Sequence, residues 1–541
     1  MKIKIILVAI VVIGFILRFT MLGSIPAGLT SDEADTGYDA YSILITGRDQ
    51  WGIPFPLTSF KGFGDNRSPL YTYLAVPAIK FFDLSSFAVR FPSALAGVLT
   101  ILMMFLLSKR LFDEKTAVLS SVLVAVSPWA IGLSRQGIES NIGILLIISS
   151  FYLLIRGFNS KKALYLSSLL FVASVYAYTS YLVITPLLLA VFLYVYRKKF
   201  QKAKKRLVIF SLIFLLGIIP LFLFTSAGSR FSQVGLGQDV TSVGLIDVVN
   251  EKIGSCQEQL PGIICRVINN KALLFSSTFF QNYLRHFSFD FLFLKGTTTQ
   301  FSLLPERGLL YMYEVIFLLV GIYVLIRKKN YLIVALLLCT VIPDALSGSG
   351  HHSRASAMLP FILIIEAVGL IYLLQLFQKN KHTKYIGIFI ALFMLFSVIS
   401  FSITYFTYFK KNYSSYSQYV YKELSVDLFT MKNKYPKIYV SNYLNDTPQY
   451  IFYLFYNKID PRTNKLTTKV SENGFISVTS VANVYFDNFI ANPSLPERYM
   501  RESKSLFIAH PDAFRKDVIV KKKYKDLTGG TNFEAVEYKG L

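Results

Sequence analysis

Residues 3–22 read IKIILVAIVVIGFILRFTML. That run has the roughly 20 apolar residues a helix needs to cross a bilayer core. No small-residue cleavage site follows it. Gly23-Ser24-Ile25-Pro26 leads straight on, so the run reads as a retained first span and not a removed signal peptide. Working outward, comparable runs recur near 87–107, 116–133, 142–155, 163–178, 181–196, 207–224, 308–326, 331–346, 357–377 and 385–406. The reading is an α-helical polytopic membrane protein with about eleven transmembrane helices. Composition agrees: 53% of the 541 residues are hydrophobic, and the mean hydropathy is +0.48.

The formal charge of +24 invites a nucleic-acid reading, but the placement of the charge excludes it. Basic residues gather in alternate short loops: Lys2 and Lys4; Lys109, Arg110 and Lys115; Arg156, Lys161 and Lys162; the block 197–206; Arg327, Lys328 and Lys329; Lys379, Lys381 and Lys384. This is the positive-inside pattern, and it fits orientation and anionic lipid headgroups. The N-terminus is then cytoplasmic, and loops 23–85 and 225–307 lie outside. Loops of that length within a compact domain are usually functional. After Phe409 the chain turns polar, with strand-like runs at 437–440 and 482–486 and a helix at 448–456. The expected division is a transmembrane domain at 1–409 and a soluble extracytoplasmic α/β or α+β domain at 410–541. No repeat of fixed period appears. Cys339 reads as packing within a span. Cys256 and Cys265 share an outer loop and could be either an external disulfide or two free thiols.

The first outer loop opens with Leu29-Thr30-Ser31-Asp32-Glu33-Ala34. Structurally this is a helix start, capped by Thr30 or Ser31 with acids in the first turn. Chemically it is a carboxylate pair just past the first span, at the depth of a membrane-surface substrate. Further on come Gly64-Asp65-Asn66-Arg67-Ser68-Pro69-Leu70-Tyr71, Val89-Arg90-Phe91-Pro92-Ser93-Ala94-Leu95, Ser127-Pro128-Trp129, and Ser134-Arg135 with Glu139 and Asn141.

These elements together resemble the GT-C class of polytopic glycosyltransferases, specifically the dolichyl-phosphate-mannose-protein mannosyltransferase-like relatives of protein O-mannosyltransferases and the lipid A aminoarabinose transferase. The resemblance rests on four features. They are the Asp-Glu pair after span one, Arg-Ser-Pro-Leu in place of the family's Lys/His-Pro-Pro-Leu, Arg-Phe-Pro-Ser-Ala-Leu, and the Ser-Arg turn. It covers roughly residues 16–154 and recurs at His351-His352-Ser353-Arg354 with Leu359-Pro360. Ser68 stands where the family often has Pro.

The resemblance implies transfer of a sugar from a polyprenyl-phosphate donor to an acceptor on the outer face, on protein, glycolipid or cell-wall polymer. Elementary chemistry is consistent with it. A sugar phosphate leaves as an anion and needs no general acid. One carboxylate must take the acceptor's proton, and cations must stabilise the departing phosphate. A glycoside hydrolase would need two carboxylates. No Walker loop and no strand-bounded Gly-x-Gly-x-x-Gly is present, which suits a lipid-linked donor.

Asp32 is the expected base, with Glu33 supporting it or binding acceptor. Arg67, Arg135, His351, His352 and Arg354 are the expected contacts to the lipid phosphate, and Asp65 and Glu139 the acceptor or supporting carboxylates. Arg135 and Glu139 also read as a local ion pair. Glu366 lies inside a span, where ionisable residues are functional candidates by default. No cofactor is specified. A divalent cation is left open, although two adjacent histidines do not complete a ligand set. Two rivals stand beside this reading: a ligase or polymerase using a polyprenyl-pyrophosphate glycan, and a lipid or sugar transporter.

Overall fold

The computed structural model describes residues 2–63, 66–200, 204–224, 245–297, 307–348, 350–377, 383–414, 418–441, 448–464, 466–470, 476–487, 504–514 and 518–538. It is mostly helical. By contact the chain divides into two units. The first holds 1–18, 96–134 and 139–399; the second holds 19–95, 135–138 and 400–541. The division expected at 409/410 followed chain order. In the structure the segment from Ser400 shares a unit with Phe19–Leu95.

The first unit is built of apolar helices. Among the described residues of the whole chain, five helices are long and apolar enough to cross a membrane: Ser86–Leu111, Glu139–Arg156, Lys204–Leu223, Arg354–Leu376 and Gly387–Asn412. The pair Glu114–Val126 and Pro128–Ser134, bent by 58°, makes a sixth if it is one span, and Tyr181–Val195 and Leu332–Ser347 are shorter apolar stretches. The expected count of eleven is thus not reached by length and composition. The difference lies partly in prolines and charges that shorten or interrupt the runs. The first helix, Lys2–Phe19, itself contains Lys2, Lys4 and Arg18.

Arg18 explains how a broken helix survives in an apolar setting. Pro128 has no N–H, so the carbonyl one turn earlier, on Val124, loses its helical partner. The fully buried Arg18 replaces it. Its Nη2 donates to Val124 O at 2.8 Å, and its Nη1 donates to Ala125 O at 3.0 Å and to Gly14 O at 3.2 Å. Its Nε donates to Ser134 Oγ at 3.2 Å, across the break. One guanidinium thus ties both halves of the bent span to the first helix.

A second close approach joins helices Glu314–Arg327 and Leu359–Phe377. A Cβ on Gly321 would stand 2.0 Å from Ile365 O, and one on Gly369 would stand 2.0 Å from Phe317 O. Only glycine lets the two backbones meet there, as small residues do between helices in lipid. The segment 245–285 of this unit carries a Cys256–Cys265 disulfide, with Cα atoms 5.7 Å apart.

The second unit mixes helices with a seven-stranded sheet. A two-stranded hairpin, β1 (Phe60–Lys61) with β2 (Asn66–Arg67), stands apart from it. The sheet comprises β3 (Ile438–Ser441), β4 (Leu466–Val470), β5 (Ile476–Val481), β6 (Val484–Asp487), β7 (Leu506–Ala509), β8 (Val518–Lys525) and β9 (Thr531–Tyr538), in the order β4-β5-β6-β3-β7-β9-β8. β3 runs parallel to both of its neighbours, β6 and β7; the other pairs are antiparallel. β3 and β7 are buried along their whole length, as central strands covered on both faces are. The edge strand β8 carries Lys521, Lys522 and Lys523, charges that discourage further strand pairing. The runs expected as strands at 437–440 and 482–486 form β3 and β6, and the expected helix at 448–456 is Tyr450–Tyr456. Leu29, together with Ala34 and Tyr38 from helix Ser31–Thr46, shares one apolar core with Ile451, Leu454, Val440 and Ile508. The sheet therefore braces the helix that carries the acidic motif.

Replacing Arg18 with Met should destabilise the protein by about 1–3 kcal/mol, the cost of leaving a buried acceptor unpaired. Arg18→Lys should recover only part of this, because one ammonium cannot reach the same set of acceptors. Thermal unfolding in detergent measures it, and an unchanged midpoint for Arg18→Met would refute the clamp.

Candidate active site

Helix Ser31–Thr46 of the second unit begins with a capping box. Thr30 Oγ1 accepts from Glu33 N at 3.2 Å, and Glu33 Oε2 accepts from Thr30 N at 3.0 Å. Thr30, of the two residues expected, is therefore the cap. The helix carries four acids, Asp32, Glu33, Asp35 and Asp39. Three are buried, and only Asp32 is exposed.

Glu33 is enclosed on all sides. Its Oε1 accepts from Arg90 Nε at 2.8 Å and from Gly137 N at 2.8 Å. Its Oε2 accepts from Arg90 Nη2 at 3.1 Å in addition to the cap. Arg90, itself 1% exposed, also donates from Nη1 to Leu22 O at 3.2 Å and Pro26 O at 3.0 Å, and from Nη2 to Gly28 O. The arginine of the Arg-Phe-Pro-Ser-Ala-Leu element thus fastens residues 22–28 to the helix start. A carboxylate held by four N–H contacts acts as an anchor for its neighbour Asp32.

Arg67 was expected at the donor phosphate. In the structure its guanidinium lies inside the second unit. Nη2 stands 2.7 Å from Asp35 Oδ2 and 2.5 Å from Asp39 Oδ2, and Nη1 donates to Thr36 Oγ1. Gln50 joins the same network: its N–H donates to Asp39 Oδ1 at 3.0 Å, its Nε2 donates to Asp35 Oδ1, and its Oε1 accepts from Tyr450 Oη at 3.4 Å. Burial, reinforced by Asp35 and opposed by Arg67, holds the Asp39 carboxyl well above its ordinary range. Arg67 thus links the hairpin to the acidic helix.

Arg135 is likewise buried. It donates from Nη2 to Thr20 O at 2.8 Å and to Ile25 O at 3.0 Å, and it lies 4.8 Å over the Phe406 ring. Asp65 lies outside the described residues.

In the first unit Glu139 opens helix Glu139–Arg156. Glu366 is fully buried, and neither of its carboxyl oxygens has a hydrogen-bond partner among the described residues. The turn that holds His351, His352 and Arg354 follows the short helix Ile342–Ser347. Asp344 Oδ2 accepts from His351 N at 2.8 Å and faces His286 Nε2 at 2.8 Å. His352 N donates to Thr297 Oγ1 at 2.9 Å, and its carbonyl accepts from Trp129 Nε1 at 3.1 Å. The His351 and His352 rings stack with centroids 4.3 Å apart.

Burial, with Arg354 nearby and Asp344 opposing, pushes His351 down to about 4. Burial and His351 hold His352 well below its ordinary value. Both rings are therefore neutral at pH 7, and Arg354, 36% exposed, supplies the turn's positive charge. Among the described residues no three His, Cys, Asp or Glu side chains are placed to hold a metal ion.

Sequence reasoning quoted Arg90 within its motif without giving it a role, and did not single out Asp35, Asp39, His286 or Asp344. The i, i+4 spacing of Asp35 and Asp39 was a signal that one helical face carries two acids. The pairing of Glu33 with Arg90 had no signal, because 57 residues separate them.

Comparison with known proteins follows this geometry. Residues 66–224 match the family model described as dolichyl-phosphate-mannose-protein mannosyltransferase. A Bacillus subtilis (strain 168) protein provisionally named mannosyltransferase YkcB is 27% identical over 145 residues, which are 26% of this chain and 20% of that protein. The chain thus matches about a fifth of that curated relative's length. Among solved structures, ArnT from Cupriavidus metallidurans bound to undecaprenyl phosphate aligns with a TM-score of 0.53 and 11% identity, over 98% of this chain and 97% of that one. The Archaeoglobus fulgidus oligosaccharyltransferase tethered to an acceptor peptide aligns with a TM-score of 0.50 and 13% identity, over 98% of this chain and 74% of that one. At these identities the structural likeness concerns the fold. Residues 66–224 thus resemble a mannosyltransferase family, and the chain shares the fold of the ArnT structure.

Two outcomes follow from the geometry. Glu33→Ala should cost about 3–5 kcal/mol, because it leaves the Arg90 charge buried and uncompensated; denaturation monitored by circular dichroism reads this. The second concerns acid. An unfolded histidine takes up its proton near 6.5, whereas folded His351 does so near 4. The unfolded chain therefore binds more protons in that interval. The stabilisation is complete above the unfolded value and is lost as pH falls towards the folded one. His351→Asn should flatten the fall in melting temperature between pH 7 and pH 5, and an identical fall in both proteins would contradict the assignment.

Proposed function

We propose that the protein transfers a sugar from a polyprenyl-phosphate donor to an acceptor hydroxyl at the outer membrane face, with Asp32 as general base. The observation that carries this reading is the sorting of acids on helix Ser31–Thr46. Glu33, Asp35 and Asp39 are engaged inside the fold, while Asp32 is exposed at the helix N-terminus. In the proposed step the acceptor oxygen attacks the anomeric carbon and gives its proton to Asp32. The bond from that carbon to the phosphate oxygen breaks, and polyprenyl phosphate leaves as the anion. A single displacement inverts the anomeric configuration. Glu33 positions Asp32 through the capping box and Arg90. Arg354 is the cation assigned to the lipid phosphate, with the neutral His351 and His352 as hydrogen-bonding neighbours. Arg67 and Arg135 hold the loop and hairpin that flank the acidic helix. The match of residues 66–224 to the mannosyltransferase family model supports the reaction type. The acceptor is defined here only as a hydroxyl.

Asp32→Asn keeps the shape and the helix-start chemistry but removes the base. Loss of a general base typically costs about 10²–10⁴ in rate. Transfer from a labelled polyprenyl-phosphate sugar should therefore fall below about a tenth of wild type, with donor binding retained. Turnover above that level would remove Asp32 from the role.

Orientation is tested separately. On a Cys339→Ala background, a cysteine at the exposed Thr468 should react with a membrane-impermeant maleimide in intact cells, and one at the exposed Lys328 should not. The reverse pattern would place the sheet in the cytoplasm and overturn outer-face transfer.

A further inference from the structure

His286 is completely buried, yet both of its ring nitrogens face oxygen. Nδ1 stands 2.7 Å from the backbone carbonyl of Asn282, and Nε2 stands 2.8 Å from Asp344 Oδ2. A neutral imidazole donates from only one nitrogen. The carbonyl can only accept, and Asp344 Oδ2 already accepts from His351 N at 2.8 Å. The contacts are satisfied together when the ring carries both protons and Asp344 is ionised, so the dyad is neutral as a whole.

The other oxygen of the same carboxylate, Asp344 Oδ1, lies 3.9 Å from Arg354 Nη1, which meanwhile donates to Ser347 Oγ at 3.3 Å. A bare carboxylate at that distance would draw the guanidinium in and cancel its charge. We propose that His286 is a positioning residue: its second proton neutralises Asp344, so that Asp344 can hold the His351 backbone without taking the charge of Arg354 away from the lipid phosphate. This rests on Arg354 being the phosphate-binding cation, as proposed above. His286 itself touches no substrate.

The test uses full-length protein in nanodiscs and measures binding of undecaprenyl phosphate as the probe. Arg354→Ala should weaken binding roughly tenfold to a hundredfold, the range of a lost charge-assisted contact. His286→Gln keeps a donor for one contact but removes the charge. It should weaken binding by about three- to tenfold, since Asp344 then competes for Arg354. Adding Asp344→Asn to His286→Gln removes the competitor and should return binding to within about twofold of wild type. A purely structural role for the dyad predicts the opposite, a double variant at least as weak as the single one.

Wild-type binding by His286→Gln, or no recovery in the double variant, overturns the inference while leaving Arg354 in place. Unchanged binding by Arg354→Ala overturns the underlying reading and the inference with it. Should His286→Gln not fold, Asp344→Asn alone decides. Binding within about twofold of wild type supports the inference, and a loss beyond about tenfold refutes it.

Discussion

The ion pair between Glu33 and Arg90 is the contact on which the candidate active site depends. Both side chains are almost fully removed from solvent, with N–O distances of 2.8 and 3.1 Å. A buried charge of either sign is tolerated only when it is paired and its remaining hydrogen-bonding capacity is filled. Arg90 meets that condition by gathering the carbonyls of Leu22, Pro26 and Gly28. Glu33 meets it by closing the helix cap and receiving Gly137 N. A loop without regular secondary structure of its own thereby gains a fixed course, and Asp32 gains a fixed place beside it.

The same physical device recurs elsewhere. Arg18 takes the carbonyls released by Pro128, and Arg135 takes those of Thr20 and Ile25. Arginine suits this work because its planar fork presents five donors and keeps its charge when buried. Lysine, a compact and strongly hydrated point charge, would not span two carbonyls of a broken helix. Of the arginines expected at the lipid phosphate, Arg135 is thus a backbone clamp and Arg67 is paired with Asp35 and Asp39.

Several features were legible in the sequence because they are local. The apolar runs, the acids after a capping residue, the strand at 438–441 and the helix at 450–456 each depend on a short window of residue types. The GT-C resemblance was legible for the same reason, since it rests on short motifs in order. Arg67 shows where this fails. An arginine in a motif matched to a phosphate-binding cation is chemically able to bind phosphate, and no window of sequence reveals that Asp35 and Asp39 reach it first. A hydropathy run likewise does not record that the helix is bent by 58° at Pro128.

The sequence by itself determined that the chain is membrane-embedded and helical, that its polar tail forms strands, and that Asp32 and Glu33 sit in the first turn of a helix. Those outcomes follow from hydrophobicity and from hydrogen bonds a few residues apart. Only the tertiary structure decided which of the two acids is anchored and which is exposed, and which arginines are already paired. It also decided that His286 and Asp344 stand behind the His351 turn. Pairing of buried charges is settled by distance in space, and partners 57 or 58 residues apart carry no mark of one another in the sequence.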